Sequence, residues 1–347
     1  MRRIDKSMGM KIADRGGALA VLVASVLAAA VGTGCAATQD RATSALEPSG
    51  AEAGRTPIRV ARLAGSAGHP AALDALRADF ERRNPGYALD WRPDLRQYHA
   101  GARSVVAFVQ TGSTPASVLR ADGGILTCEP ELTVGDVVLL RPGESLDAKR
   151  GLGAVLFEVP QPFAEGLPTF VRPDWDESIT DTPGGCAEET GAYRRILLTW
   201  LPAIGPYVYR ALNCHRVRIT DSFAHYHPVI GGFDEFYLVQ MVQPGAVLYT
   251  SEATTRILDP TSVTAEEARD LMQVHELAVG DLVYLPRGTI HRGVGGVLAQ
   301  VITVPGFRPG AEIGVDHHLR AINERLKLQG DAALPYRAAS SEGAVVK

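Results

Sequence analysis

The chain has few cysteines, few aromatic residues and no excess of charge of either sign. Its 347 residues include 4 cysteines, no two of which have the C-x-x-C spacing of a zinc-thiolate site. Lysine and arginine total 35 against 39 acidic residues, which gives a net charge of -4. Because no basic run longer than two residues occurs, no nucleic-acid partner is expected.

The chain also lacks an apolar run that would span a bilayer comfortably. The longest run, GGALAVLVASVLAAAVG, follows a basic stretch and is typical of an export signal. It ends at Gly32, Thr33, Gly34 and Cys35, which resembles the lipobox of bacterial lipoproteins. We expect an exported protein, either anchored to the membrane through a lipid on Cys35 or cleaved and released into the periplasm. A retained membrane helix is the third alternative.

Three cysteines would remain after Cys35, and their state is open. They are Cys128, Cys186 and Cys214. In an oxidising compartment Cys186 and Cys214 are the natural disulfide pair. Three free and mostly buried thiols are the alternative.

Two segments of the chain repeat each other at an offset of 145 residues. ELTVGDVVLLRPGESL, from Glu131, matches ELAVGDLVYLPRGTIH, from Glu276. Upstream, the segments that begin at Val105 and Glu235 are also alike, at a smaller offset. Each copy consists of short β-branched and aromatic runs between Gly, Pro and Asp turns, as in antiparallel sandwiches and small barrels. The sequence therefore predicts an all-β chain of two tandem barrels with a few peripheral helices.

Composition and the repeat together suggest the domain boundaries. A segment poor in large apolar residues follows Cys35 and is expected to be a flexible tether. Amphipathic spacing predicts helices at about 70–83 and 316–328. The expected order is a signal at 1–35, a tether at 36–56, a degenerate barrel at 57–165, a linker at 166–200, a metal-binding barrel at 201–310, and a C-terminal helix and tail at 311–347.

Two histidines are expected to point into the second barrel. Along residues 217–227, apolar and polar side chains alternate, so that His225 and His227 share the inward face with Val217 and Phe223. A buried imidazole without a partner is costly. These two rings therefore need hydrogen-bond partners or a shared cation.

A carboxylate and a third histidine can reach the same cavity. Glu235 opens the next strand, where Met241 is expected on the same face. Tyr237 either lines the cavity, as strand parity suggests, or faces away. The turn in PRGTIH delivers His291 from a neighbouring strand. Three imidazoles and one carboxylate would then converge.

These residues resemble the two sequence motifs of the cupin superfamily, small β-barrels that hold a divalent metal inside the barrel. The motif-bearing residues are HYH, Glu235 and PRGTIH, and the resemblance covers about residues 205–307. Seven residues separate His227 from Glu235, where the family has three or four, so Asp234 is an alternative ligand. Otherwise Asp234 is expected to be a solvated loop carboxylate. The metal ligands that the resemblance implies are His225, His227, Glu235 and His291.

The remaining polar residues and the first barrel are expected to play supporting roles. The first copy has Leu146 at the position of His291 and no H-x-H motif, so its barrel is expected to be a structural partner. Four further residues are expected at the surface or behind the ligands: His275, Arg292, His317 and His318.

Three imidazoles and a carboxylate suit Fe(II), Mn(II), Ni(II), Cu(II) or Zn(II), and the cupin resemblance favours iron or manganese. Up to two positions of an octahedral ion would remain for a small-molecule substrate or oxygen. The sequence leaves three functions open. They are an Fe-type oxidoreductase or dioxygenase, a metal-dependent isomerase, lyase or hydrolase of a sugar or organic acid, and a non-catalytic metal- or ligand-binding lipoprotein.

Overall fold

The computed structural model describes residues 59–63, 70–184, 191 and 193–347. The expected export signal, the expected lipidation site Cys35, the expected tether and Cys186 lie outside these residues. Within them, Cys128 is an exposed and Cys214 a buried thiol, and neither has a disulfide partner there. None of the helices in the described residues is long and apolar enough to cross a membrane.

The first barrel is a seven-stranded antiparallel sheet. Its strands are β2 (Ala88–His99), β3 (Ser104–Thr111), β4 (Ser113–Leu119), β5 (Ile125–Thr133), β6 (Val137–Leu140), β7 (Ser145–Val159) and β8 (Phe170–Val171). They are arranged in the order β5-β4-β7-β3-β6-β8, and β2 also pairs with the long β7. The inner side chains are almost all apolar and buried, as the β-branched runs predict.

The second barrel is a ten-stranded antiparallel sheet. Its strands are β1 (Arg59–Arg62), β9 (Arg194–Leu198), β10 (Asn213–Asp221), β11 (His225–Tyr226), β12 (Asp234–Val242), β13 (Val247–Ser251), β14 (Gln273–Glu276), β15 (Asp281–Leu285), β16 (Ile290–Val304) and β17 (Ile313–Gly314). The central strands have the order β1-β15-β12-β16-β10-β9. Three α-helices lie in the described part: α1 (Pro70–Arg83), α2 (Thr254–Ile257) and α3 (Asp316–Leu326).

The structure confirms the predicted all-β fold class, with two antiparallel barrels and a few peripheral helices. The longest strands of the two barrels, β7 and β16, have the offset of 145 residues at both ends. The turn before β6 and the turn before β15 are also built alike. In the first, Asp136 accepts a hydrogen bond from the backbone N–H of Thr133, at 2.9 Å. In the second, Asp281 accepts one from Ala278, at 2.8 Å.

An aromatic cluster joins the two barrels into one hydrophobic core. Phe80 of α1 lies edge to face against Phe157 of β7, with ring centroids 5.7 Å apart. It also contacts Phe236 of β12 at 5.0 Å. Edge-to-face pairs are favourable beyond the area that they bury. The described residues accordingly form one compact unit.

Several strands lie elsewhere than the repeat predicts. β1, from the segment expected in the first barrel, pairs with β15 of the second, with Val60 opposite Val283. The expected linker supplies β8 to one sheet and β9 to the other. Edge strands join a sheet through backbone hydrogen bonds, so side-chain patterns give little warning of where they attach. The domain boundaries themselves stay predictions.

The strand expected at 217–227 is interrupted. β10 ends at Asp221, and the chain resumes pairing at His225, because the backbone N–H of Ala224 bonds outside the ladder. The N–H of Ala224 donates to the carboxylate of Asp316, at 3.1 Å. Met241 was expected inside but is 47% exposed. The pairing of β12 with β16 shifts by one residue just before Met241, which turns its side chain outward.

Candidate metal centre

Three strands of the second barrel bring the predicted ligands together. His225 on β11 lies opposite His291 at the start of β16. Glu235 lies on β12, which pairs with β16, and His227 directly follows β11. All four side chains are buried, with exposed fractions between 0% and 6%.

The four residues can each offer one ligand atom, and these atoms all lie within 4.8 Å of one another. The Nε2 atom of His227 is 3.2 Å from Oε2 of Glu235. The Nε2 atom of His291 is 3.4 Å from the same oxygen. Both nitrogens are buried and make no hydrogen bond.

The hydrogen bonds of Nδ1 in His225 and His291 indicate that the Nε2 atoms of these rings carry the lone pairs. Nδ1 of His225 bonds to the carbonyl oxygen of Phe223, at 3.0 Å, and Nδ1 of His291 bonds to that of Thr289, at 3.2 Å. A neutral ring that donates from Nδ1 has an acceptor lone pair at Nε2. The carboxylate of Glu235 is also an acceptor. Acceptors that face each other at this distance need a proton or a cation between them, and nitrogen and oxygen ligands of this kind fit a divalent metal ion.

Burial keeps the imidazoles neutral. It lowers the pKa of His225 and of His291 to about 4, and holds the pKa of His227 well below its ordinary value. Burial also raises the pKa of Glu235 to about 7, against the opposing effects of His225 and of a hydrogen bond from Tyr237. At neutral pH the three rings are therefore ready to bind a metal without first losing a proton.

Aromatic rings fix the orientation of two ligands. Phe223 stacks on His225, with ring centroids 4.3 Å apart and an angle of 16° between the planes. The ring centroids of Phe233 and His227 are 3.9 Å apart. Phe233 ends the long loop between His227 and Glu235, whose tip, at Val229 and Ile230, is 66% and 93% exposed. The extra loop length therefore projects into solvent.

Asp234 was expected to be solvated, and that expectation is wrong, because its side chain is 0% exposed. Its carboxylate accepts hydrogen bonds from Asn84, at 2.6 Å, and from Tyr284, at 2.8 Å. Arg287 donates to it from both its backbone N–H and its Nε, each at 2.9 Å. Asp234 thus ties the end of α1 to the turn that carries His291, while its neighbour Glu235 faces the histidines.

The other residues singled out in the sequence lie outside the cluster. Tyr237 is buried and lines the adjoining cavity. His275 contacts the hydroxyl of Thr250 at 2.8 Å, and Arg292 forms an ion pair with Asp221 at 2.5 Å. His317 and His318 lie side by side on α3. In the first barrel, Leu146 fills the apolar core where the second barrel has His291.

A cavity of about 360 Å³ adjoins the cluster, and both His225 and Glu235 form part of its wall. Much of the rest of the wall is apolar. Sequence reasoning missed four of its polar residues: Arg194, His215, Glu312 and Lys347. His215 could have been found from the sequence, because it lies two residues before Val217 and therefore on the same inward face of the strand. Glu312 and Lys347 had none, because they reach the cavity through the tertiary path of the C-terminal segment.

The fold and the cluster define an all-β protein of two barrels, in which the second barrel could hold a divalent cation. No family model and no curated protein matches the sequence. Among solved structures, the chain is similar to the formate complex of Lactobacillus farciminis oxalate decarboxylase. The TM-score is 0.41 and the identity 12%, over 74% of this chain and 88% of that one.

It is also similar to Bacillus subtilis oxalate decarboxylase, in a structure that concerns its Mn(II) centres. The TM-score is 0.41 and the identity 13%, over 76% of this chain and 81% of that one. Likenesses this remote say nothing about activity or substrate.

Proposed function

We propose that the protein is a metal-dependent enzyme of the bacterial cell envelope that acts on a small organic molecule. The observation that carries the proposal is that His225 and Glu235 belong both to the four-residue cluster and to the cavity wall. A molecule in the cavity would lie beside an ion held by these residues together with His227 and His291. Fe(II) is the ion that we propose first, and Mn(II) the next. Export, with an anchor at Cys35, is a separate proposal that rests on the N-terminal sequence.

The bound ion would act as a Lewis acid towards an oxygen atom of the substrate. The chain's own groups would orient the substrate and move its protons. Tyr237 donates a hydrogen bond to Glu235 and so holds this carboxylate towards the histidines. Glu312 places a second carboxylate in the cavity wall, and burial raises its pKa. Such a carboxyl group exchanges protons more readily near neutral pH. We therefore favour proton-transfer chemistry, as in an isomerase, lyase or hydrolase.

A dioxygenase is the second candidate function, and the apolar character of the cavity supports it. Phe223, Ile219 and Val301 are among the side chains of the wall. A wall of this kind excludes water, which protects reactive species from side reactions. A non-catalytic metal-binding lipoprotein is the outcome expected if neither activity is found.

One experiment separates these functions. Tag-free protein is loaded with Fe(II) or Mn(II) and incubated with a panel of sugars and organic acids, with and without oxygen. Turnover without oxygen that is lost in Glu312→Gln supports proton transfer at this residue, and oxygen uptake supports the dioxygenase. The exposed Glu342→Gln is the matched control. Metal binding without any turnover would contradict the enzymatic proposal.

A further inference from the structure

The cavity beside the cluster has one charged end, and most of its remaining wall is apolar. Glu312 interacts electrostatically with two cationic side chains, Arg194 and Lys347, and also with His225 and Glu235 of the cluster. The charged groups are therefore gathered around Glu312. The apolar part of the wall includes Ile196, Leu198, Val217, Ile219, Val301 and Phe307.

The C-terminal segment holds Lys347 at the charged end. The backbones of Lys347 and Glu312 exchange two hydrogen bonds, each 3.0 Å long. Glu312 immediately precedes β17, and β17 pairs with β11, the strand of His225. The Nζ atom of Lys347 lies 5.2 Å from the ring centroid of Phe223, the ring that stacks on His225. The lysine ammonium thus lies over the aromatic ring that packs on His225.

The charge in the cavity wall becomes more positive when a metal binds. Arg194 and Lys347 bring two cationic side chains to the wall, next to the carboxyl groups of Glu235 and Glu312. A divalent ion on the cluster would add two further positive charges. Uncompensated charge in a mostly apolar enclosure is unfavourable. An anionic ligand relieves this excess, and a neutral ligand does not.

The size and lining of the cavity limit the rest of the ligand. Its volume of about 360 Å³ lies towards the low end of ligand sites, which span about 300 to 1,000 Å³. A two-carbon acid would leave most of this space, and all of the wall formed by Ile196 and Leu198, without contact. A ligand with an apolar body that fills this space is stabilised, because its own apolar surface and that of the wall are both removed from water.

We propose that the cavity binds an amphipathic organic acid. Its single carboxylate would lie at Arg194 and Lys347, beside the cluster, and its apolar body would lie along β9 and β10, against residues such as Ile196 and Val217. This inference rests on the proposed function, because the positive excess includes the metal ion.

The ligand class is tested by calorimetric titration of Mn(II)-loaded protein with octanoate, octanamide and oxalate. Octanoate and octanamide share the apolar chain, and octanoate and oxalate share the carboxylate chemistry. We expect octanoate to bind roughly tenfold or more tightly than either of the others, which is the range of one charge-assisted hydrogen bond. Equal affinity for octanoate and octanamide, or tightest binding of oxalate, would overturn the proposal.

The position of the carboxylate is tested with Lys347→Met. This variant should lose about tenfold in affinity for octanoate, while its affinity for octanamide stays unchanged, which also shows that the cavity is intact. Lys347→Arg should retain octanoate binding, and the exposed Lys149→Met in the first barrel is the matched control. If Lys347→Met binds octanoate as tightly as the unmodified protein does, the carboxylate lies elsewhere and the assignment is overturned.

Metal content measured on the same samples separates this inference from the proposed function. If the protein holds metal but does not prefer octanoate, the ligand class is wrong and the metal site stands. If the protein takes up no metal, the proposed function is wrong. If the metal-free protein still prefers octanoate to octanamide, the role of Arg194 and Lys347 in binding the carboxylate stands. If it has no such preference, the inference is overturned as well.

Discussion

At the scale of single residues, the contact between His227 and Glu235 says most about the site. An imidazole nitrogen and a carboxylate oxygen lie 3.2 Å apart, both buried, and the nitrogen makes no hydrogen bond. Strand alternation and the cupin resemblance predicted that these residues converge. Neither could predict that the neighbouring Asp234 is buried, because its partners Asn84 and Arg287 are remote from it in sequence.

The raised pKa of Glu235 predicts how metal affinity depends on pH. Below its pKa of about 7 the carboxyl group binds a proton, which the metal must displace, so affinity should fall as pH falls, by about tenfold per unit. Below about 4 the decline should steepen as His225 and His291 also bind protons. Titrations with Mn(II) at several values between about pH 5.5 and 8.5 measure this dependence. Affinity that is constant between pH 5.5 and 7 would contradict the assigned role of Glu235.

Asp234→Asn should destabilise the metal-free protein. The substitution removes the charge that compensates Arg287 inside the network, and breaking a buried ion pair in this way costs roughly 3 kcal/mol or more. Urea unfolding measures the change. The exposed Asp331→Asn is the control and should have little effect. A change as small as that of the control would show that Asn84 and Tyr284 hold the network together without the carboxylate charge.

At the scale of elements, the loop between His227 and Glu235 differs most from what the family resemblance implies. Its two glycines have different roles. A Cβ atom on Gly232 would lie 2.2 Å from the carbonyl oxygen of Pro228, whereas one on Gly231 would meet nothing within 4 Å. Gly231 has a φ of +81°, which disfavours a side chain for a separate reason.

This difference predicts that Gly232→Ala is the more harmful substitution. Gly231→Ala should cost about 1 kcal/mol through its left-handed backbone. Gly232→Ala should cost more, and it should also weaken metal binding, because the clash moves the backbone next to His227. Urea unfolding and Mn(II) titration of the two variants test this. Equal losses of stability with unchanged metal affinity would mean that the loop relaxes without moving the ligand.

Some secondary-structure elements were predicted from the sequence and others were not. The repeat covered β6 and β15, and amphipathic spacing located α1, because in each case the side chains show that the element is buried. The attachment of β1 to β15 and the path of the C-terminal segment were not predicted. These contacts are made mainly by backbone groups, as between Glu312 and Lys347, and backbone groups are the same in every sequence.

At the scale of the whole molecule, the barrels share a core even though only the second contains the cluster. Phe157 of the first barrel contacts Phe236 of the second, at 5.3 Å. Side chains also cross between the barrels: Gln110 donates to the carbonyl oxygen of Val239, at 2.6 Å, and Gln300 donates to that of Gly135, at 2.8 Å. The repeat predicted two barrels, but the interface between them depends on which faces meet.

The shared core predicts that both barrels unfold in one transition. Scanning calorimetry should show a single peak that bound metal moves to higher temperature, because a ligand of the native state stabilises the whole cooperative unit. Phe157→Ala, in the barrel without ligands, should lower the temperature of the same peak, at a cost of roughly 3 to 5 kcal/mol. Two peaks, only one of which responds to metal, would contradict this expectation.

His225, His227, Glu235 and His291 are expected to hold one metal ion together, and the decisive measurement is the metal content of tag-free protein. After dialysis against Mn(II), elemental analysis should find about one ion per chain in the unmodified protein and in His275→Ala, a histidine control outside the cluster. His291→Ala and Glu235→Ala should retain almost none. Metal content in these two variants equal to that of the unmodified protein would show that the four residues do not form the site.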